Sequence, residues 1–142
     1  TYAPFELFYG LLAKNGIRSR RAVDIYTLGS LVFFHFIGIS ATQGIFNKLR
    51  TAHIPVSGSD YQQDLPLFRH AFEELPLEEL TVEVHGITTR LCDDIVRIAR
   101  ELCDPDPQQR GDAKARGYSP YSVERYVSRF DLLARKAEVG LI

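Results

Sequence analysis

Ala22–Ser40 reads AVDIYTLGSLVFFHFIGIS. Leu28, Leu31, Val32, Phe33, Phe36 and Ile37 fall on several sides of a helix rather than on one stripe, which is the pattern of a helix enclosed by other elements. The apolar run Leu28–Ile39 is interrupted by His35 and falls short of the ~20 residues a membrane span needs. It predicts a buried central helix over residues 22–38. One acid, Asp24, sits at its head. A buried carboxylate without a partner is costly, and nothing nearby in the sequence offers one; the plain alternative is that Asp24 caps the helix.

Outward from this helix the patterning is helical throughout. Residues 4–12 (PFELFYGLL) predict a short helix opened by Pro4, and 13–21 (AKNGIRSRR) a polar loop. A second short helix is predicted over 44–50, a Pro/Gly/Ser-containing loop over 51–63, and a helix over 64–74; 77–84 (LEELTVEV) is ambiguous. Residues 87–103 form a strongly amphipathic helix, with Leu91, Ile95, Ile98 and Leu102 at helical spacing, broken by the two prolines of DPDPQQRGD. Ser119-Pro120 reads as a cap followed by proline in the first turn. It opens a last helix to about 138, with Tyr126, Phe130, Leu133 and Ala137 on one face. The expectation is one all-α domain over 1–142, of about six or seven helices around a buried hydrophobic central helix.

Charge is nearly balanced, 17 Lys+Arg against 18 Asp+Glu, so no general basic field points to nucleic acid. Its distribution is uneven. Residues 12–50 carry six basic residues against Asp24, and 60–83 carry seven acids against Arg69. Each reads first as a solvated face, including the Arg18-Ser19-Arg20-Arg21 run, with docking of a charged partner as the alternative. Cys92 and Cys103 lie 11 apart in one predicted helix, roughly 16 Å, too far for a disulfide. As reduced core thiols they suit an intracellular, cytoplasmic location. No secretion signal is read. The chain has no methionine and opens in the ordered-looking pattern TYAPFELFYG, so it reads as a piece of a longer protein.

Cofactor chemistry is thin. There is no G-x-G-x-x-G or Walker pattern. His35, His53, His70 and His85 lack metal-ligand spacing. Asp93-Asp94 and Glu73-Glu74 are helix neighbours that point about 100° apart, so neither pair makes a ready acid/base dyad. Three features remain: Ala3-Pro4-Phe5-Glu6 at a helix start, Val23-Asp24-Ile25-Tyr26-Thr27-Leu28-Gly29 in the apolar run, and Leu102-Cys103-Asp104-Pro105-Asp106-Pro107-Gln108-Gln109-Arg110 at a helix end. Each has a plain reading as a helix start, a cap or a solvated arginine.

In this order and spacing the three resemble the C-terminal lobe of a protein kinase. There, an Ala-Pro-Glu motif ends the activation segment, D-x-(Trp/Tyr)-x-x-G opens a buried helix, and L-x-x-D-P-x-x-R comes late. The matches are Ala3, Pro4 and Glu6; Asp24, Tyr26 and Gly29; and Leu102, Asp106, Pro107 and Arg110. The resemblance covers roughly Thr1 to Gly111. It implies that Asp24 accepts hydrogen bonds from a catalytic-loop backbone lying upstream of this chain. It also implies that Glu6 pairs with Arg110. The N-lobe, catalytic loop and metal-binding motif are absent: no H-R-D, D-F-G or V-A-I-K occurs. The implied function is the non-catalytic floor and protein-substrate docking surface of a Ser/Thr-type kinase. ATP and Mg would be bound in the parent and not by this fragment, and no residue here is catalytic, cofactor-binding or metal-binding. The implied partners are the remainder of the kinase domain and a protein substrate or regulatory partner, with no nucleic acid and no membrane. Made alone, the fragment is expected to self-associate through uncovered helix surface.

The chain departs from the family pattern. Phe5 separates Pro4 from Glu6, and Gly111 follows Arg110 where the family usually has proline. Ile25-Tyr26 replaces the commoner hydrophobic-Trp pair, and 51–86 is difficult to align. These departures point to a divergent kinase. A pseudokinase scaffold and an unrelated helical interaction module remain the alternatives.

Overall fold

A computed structural model of the chain describes residues 2–11, 16–77 and 89–140, with residues 16–19 and 89 described by backbone alone. Its elements, in chain order, are α1 (Phe5–Phe8), α2 (Gly16–Ile37), α3 (Ala41–Thr51), α4 (Tyr61–Glu73), α5 (Thr89–Leu102) and α6 (Val123–Glu138), with a 3-10 turn at Ala113–Ala115 before α6. No strand occurs among the described residues, so the all-α expectation holds for them. The ambiguous stretch 77–84 lies outside the described residues from 78 onward, as do Lys14 and His85.

The central helix is longer than its apolar run suggests. α2 begins at Gly16, so residues 16–21, expected as loop, are helical. The polar Arg-rich sequence continues the helix because arginine is a good helix former once a downstream segment is packed. At its other end Gly38 takes φ +87, a left-handed conformation suited to glycine. The chain then turns by 70° into α3, whose cap, Ser40, accepts from the Gln43 N–H at 3.2 Å. No single helix among the described residues is long and apolar enough to cross a membrane.

The core lies where α2 packs on α3 and α5, and α3 packs on α4. Ile25, Tyr26, Phe33, Ile45, Phe68, Ile98, Leu102 and Tyr126 are fully enclosed. Burial of each large side chain contributes about 1.5–3 kcal/mol. Cys92 and Cys103 are both buried within it as thiols. The last helix starts later than its sequence suggests: Ser122 takes the cap position without a side-chain cap bond, and Ser119-Pro120 lie in the turn before it. Tyr126 and Leu133 of α6 are buried and Phe130 partly so, whereas Ala137, expected on the same face, is exposed because the helix end runs past the core.

Polar side chains tie the helices at their rims. Arg100 on α5 donates to the carbonyls of Phe72 and Leu75, both at 3.0 Å. Glu101 on α5 pairs with Arg129 on α6 and accepts from the Tyr126 hydroxyl at 3.2 Å. α2 and the end of α5 meet most closely at Gly29. A Cβ there would stand 2.4 Å from Cys103 Sγ and 2.6 Å from Leu102 Cβ, so only a residue without a side chain lets α2 and the end of α5 approach this closely.

Gly29→Ala is therefore expected to destabilise the fold by about 1–3 kcal/mol through overpacking. Gly117→Ala, where a new Cβ meets nothing within 4 Å, should be nearly neutral. Thermal melts of the two variants side by side check this; equal melting temperatures would contradict it.

Candidate functional site

The late motif ends α5 and folds back on itself. Asp106 accepts the Arg110 N–H on its backbone carbonyl at 3.0 Å, and its carboxylate accepts the Gln108 N–H at 2.9 Å. Pro105 and Pro107 stiffen this turn, and the Pro107 carbonyl accepts from the Tyr121 hydroxyl at 2.6 Å. The result points the Arg110 side chain inward, where it is 0 % exposed.

All five N–H groups of that guanidinium meet an acceptor. Nη1 donates to Glu6 Oε1 at 2.7 Å and to the Ala22 carbonyl at 2.9 Å. Nη2 donates to Glu6 Oε2 at 3.1 Å and to the Pro105 carbonyl at 3.4 Å. Nε donates to the Asp104 carbonyl at 2.9 Å. The Glu6 pairing is bidentate and joins positions 104 apart in sequence. Burial opposes the charge on Arg110, but the hydrogen bonds and charge of Glu6 prevail, so its pKa is raised and it stays protonated.

Tyr26 closes the cluster from the α2 side. Arg110 Cζ sits 4.7 Å from its ring centroid, a cation–π contact in a desolvated setting. Burial pushes the Tyr26 hydroxyl pKa well up, which keeps it a donor. It lies 2.8 Å from Thr42 Oγ1, and Thr42 in turn donates to the Ala3 carbonyl at 2.7 Å. Because the single Thr42 proton goes to Ala3, Tyr26 is the donor in the first bond. Tyr61 donates to the Pro105 carbonyl at 2.6 Å.

Six of the seven singled-out residues meet in or beside this cluster. Ala3 supplies its carbonyl, Pro4 is the buried N-cap of α1, Glu6 and Arg110 pair, Tyr26 stacks, and Gly29 receives the end of α5. Asp24 stands apart. It lies well inside α2, so it caps nothing, and it is exposed, so its charge carries no burial cost. Its carboxylate has no hydrogen bond or ion pair among the described residues. With Arg21 it borders a cavity of about 720 Å³, whose other wall is the turn from Arg116 to Glu124.

Two of the departures from the kinase pattern that the sequence resembles, Phe5 and Gly111, have physical reasons. The Phe5 ring is fully buried, stacked on Phe68 at 4.1 Å and near Phe46 at 5.1 Å. It anchors α1 on one side while Glu6 turns to Arg110 on the other. Gly111 has φ +90, and a Cβ there would stand 2.1 Å from the Pro120 carbonyl oxygen. Its N–H also donates to the Glu101 carbonyl at 2.8 Å. Proline, with φ fixed near −65° and no N–H, cannot take this place.

One buried acid escaped the sequence reading. Asp64, counted there within an acidic face, is 2 % exposed. It accepts from the Tyr9 hydroxyl at 2.6 Å, the Gly58 N–H at 2.9 Å, and the Ser57 hydroxyl and N–H at 2.9 and 3.1 Å. Burial raises its pKa, yet these bonds outweigh burial and hold it near 2. Its sequence signal is the Ser57-Gly58 turn six residues upstream, a ready source of donors. Among the described residues, Asp60 caps α4 and Glu74 pairs with Lys48 at 3.6 Å, as expected for a rim; Glu78, Glu79 and Glu83 lie outside the described residues.

Comparison with family models, with curated proteins and with solved structures finds no match to this chain. The cluster is thus read on its own chemistry. It contains no nucleophile–base pair, and no group of three or more His, Cys, Asp or Glu among the described residues is placed to hold a metal ion. What it does is join α1, α2 and the turn after α5 through one buried cation.

Arg110→Lys keeps the charge but not the planar fork, so most of these bonds are lost. The expected cost is at least ~2 kcal/mol, read as a lower denaturation midpoint. Arg125→Lys, at a rim partner of Asp112, should leave the midpoint nearly unchanged. Equal costs at the two positions would contradict the assignment.

Proposed function

We propose that this chain is the C-lobe portion of a divergent Ser/Thr-type protein kinase. It is non-catalytic by itself and supplies the structural floor and protein-substrate docking surface of the parent enzyme. The observation that carries the reading is the buried, bidentate Glu6–Arg110 pair. The resemblance requires that contact across 104 positions, and neither local pattern nor composition asks for it. The stacking of Tyr26 on the same arginine, and the close approach at Gly29, give the middle motif a structural role in the same cluster.

The uncovered side of α2 supports the same reading. Asp24, Leu31, Phe34 and His35 are exposed at successive turns of one helix face, with Leu31 and Phe34 at 53 % and 52 %. Exposed apolar side chains grouped on one helix face mark a place of contact with another element or a partner. In the kinase family the upstream catalytic loop lies beside this helix, and its backbone N–H groups bind the aspartate. The Asp24 carboxylate, exposed at the edge of the cavity and without a partner among the described residues, is placed so that such a loop could bind it. In the parent, ATP and Mg are held by residues upstream. The partners are then the rest of the kinase domain and a protein substrate or regulatory partner, in the cytoplasm.

The test is the natural full-length product, read upstream of Thr1 and assayed for transfer of the ATP γ-phosphate to Ser/Thr of a generic protein substrate with Mg. The expected result is an H-R-D-x-x-x-x-N and a D-F-G upstream, with measurable transfer by the full chain and none by residues 1–142 alone. A kinase-like upstream region with those residues replaced, and no transfer, would make the parent a pseudokinase scaffold. An unrelated upstream sequence would overturn the reading.

A further inference from the structure

We propose that the outer face of α6 docks a basic amphipathic helix of a partner protein. The surface is built from α6 alone and holds whether or not the chain is a kinase lobe. α6 carries two apolar sets. Tyr126 and Leu133 are buried in the core. Val123, Val127, Phe130, Ala134 and Ala137 follow one another at alternating spacings of four and three, which is the seam of a helix that packs along another helix. Val127 is 59 % exposed and Val123 38 %, and Ala134 and Ala137 are exposed as well. Phe130, partly buried against the core, lies where the two sets meet. The sequence thus repeats a packing seam that the fold leaves open.

At 100° per residue, Tyr126 and Leu133 fall to one side of this stripe and Glu124, Asp131 and Glu138 to the other, one acid per heptad. All three acids are exposed. Asp131 pairs with Arg135 at 2.9 Å, the one ion pair the row makes among the described residues, and Arg135 stands on the far side of the acid row from the stripe. Arg21 borders the same cavity as Glu124. The acid edge chooses the occupant. A second copy docked antiparallel through the same face would set acid row against acid row. Docked parallel, it would set the acids against the side of the helix where Tyr126 and Leu133 are already covered by the core. An anionic lipid surface is repelled by the same row. A helix with apolar residues at the matching spacing and Lys or Arg along one edge fits both the stripe and the charge. α6 has 16 residues, room for about four turns of such a partner.

The experiment is calorimetric titration of the 142-residue chain with two synthetic helical peptides that share a leucine seam and differ only at its edge, Lys in one and Glu in the other. Amide chemical shifts map the site. The Lys peptide is expected to bind roughly tenfold tighter than the Glu peptide, to weaken as salt rises, and to shift α6 amides. Val127→Asp should abolish binding and leave the thermal melt unchanged, since that side chain stands outside the core. The triple variant Glu124→Lys/Asp131→Lys/Glu138→Lys should reverse the preference and take the Glu peptide more tightly, which a merely adhesive apolar surface would not do. No binding at about 1 mM, equal affinity for the two peptides, shifts centred away from α6, or an unreversed preference overturns the proposal. So does a dimer of the chain that Val127→Asp converts to monomer, because the occupant would then be a second copy.

Discussion

A guanidinium taken out of water must find an acceptor for each of its five N–H groups, or the fold bears the cost of a buried, uncompensated charge. Arg110 meets that demand with a carboxylate from α1, a carbonyl from α2 and two carbonyls from its own turn. No neighbour in sequence could supply this set. The chain must bring Glu6, Ala22 and the 104–110 turn to one point, and the rest of the structure is arranged around that requirement. Gly29 lets α5 approach α2, Gly111 turns the backbone away immediately after the arginine, and Phe5 pins α1 so that Glu6 faces inward.

A buried ion pair of this kind is weak grounds for high stability, since desolvation offsets much of the attraction. Its value is specificity. Few alternative packings of these helices would satisfy all five donors, so the pair disfavours them. The apolar contacts between α2, α3, α4 and α5 supply the main driving force, but leucine and phenylalanine tolerate rearrangement far better than a charged fork does.

Much of this was legible in the sequence, for identifiable reasons. Residues 22–38 announce a core helix by being apolar on several sides, and α5 by its strict spacing of Leu91, Ile95, Ile98 and Leu102. Pro4, Gly29 and Arg110 stood out only as members of three motifs whose order and spacing resemble a kinase C-lobe, since each motif alone has a plain reading. The N-terminal extension of α2 over 16–21 was not legible, since a polar Arg-rich stretch looks the same as a loop until its downstream helix is packed. Nor was the start of α6, where Ser122 rather than Ser119 takes the cap position. Asp24 attracted notice as a carboxylate beside apolar residues, but the face it occupies is open, which only the arrangement of the other helices decides. Thr42 and Asp64 were invisible for a related reason: a hydroxyl or acid becomes structural through partners tens of residues away, at Ala3 and Tyr26 for one and Tyr9 for the other.

The central claim is that Glu6 and Arg110 act as one unit, and a double-mutant cycle tests it most directly. Glu6→Ala, Arg110→Ala and the double variant would be compared by denaturant unfolding. Each single change should cost about 3–5 kcal/mol by leaving one charge buried alone. The double variant should cost clearly less than the sum of the two. Additive losses would contradict the account, because they would mean the two residues are held in place independently and that their meeting organises nothing.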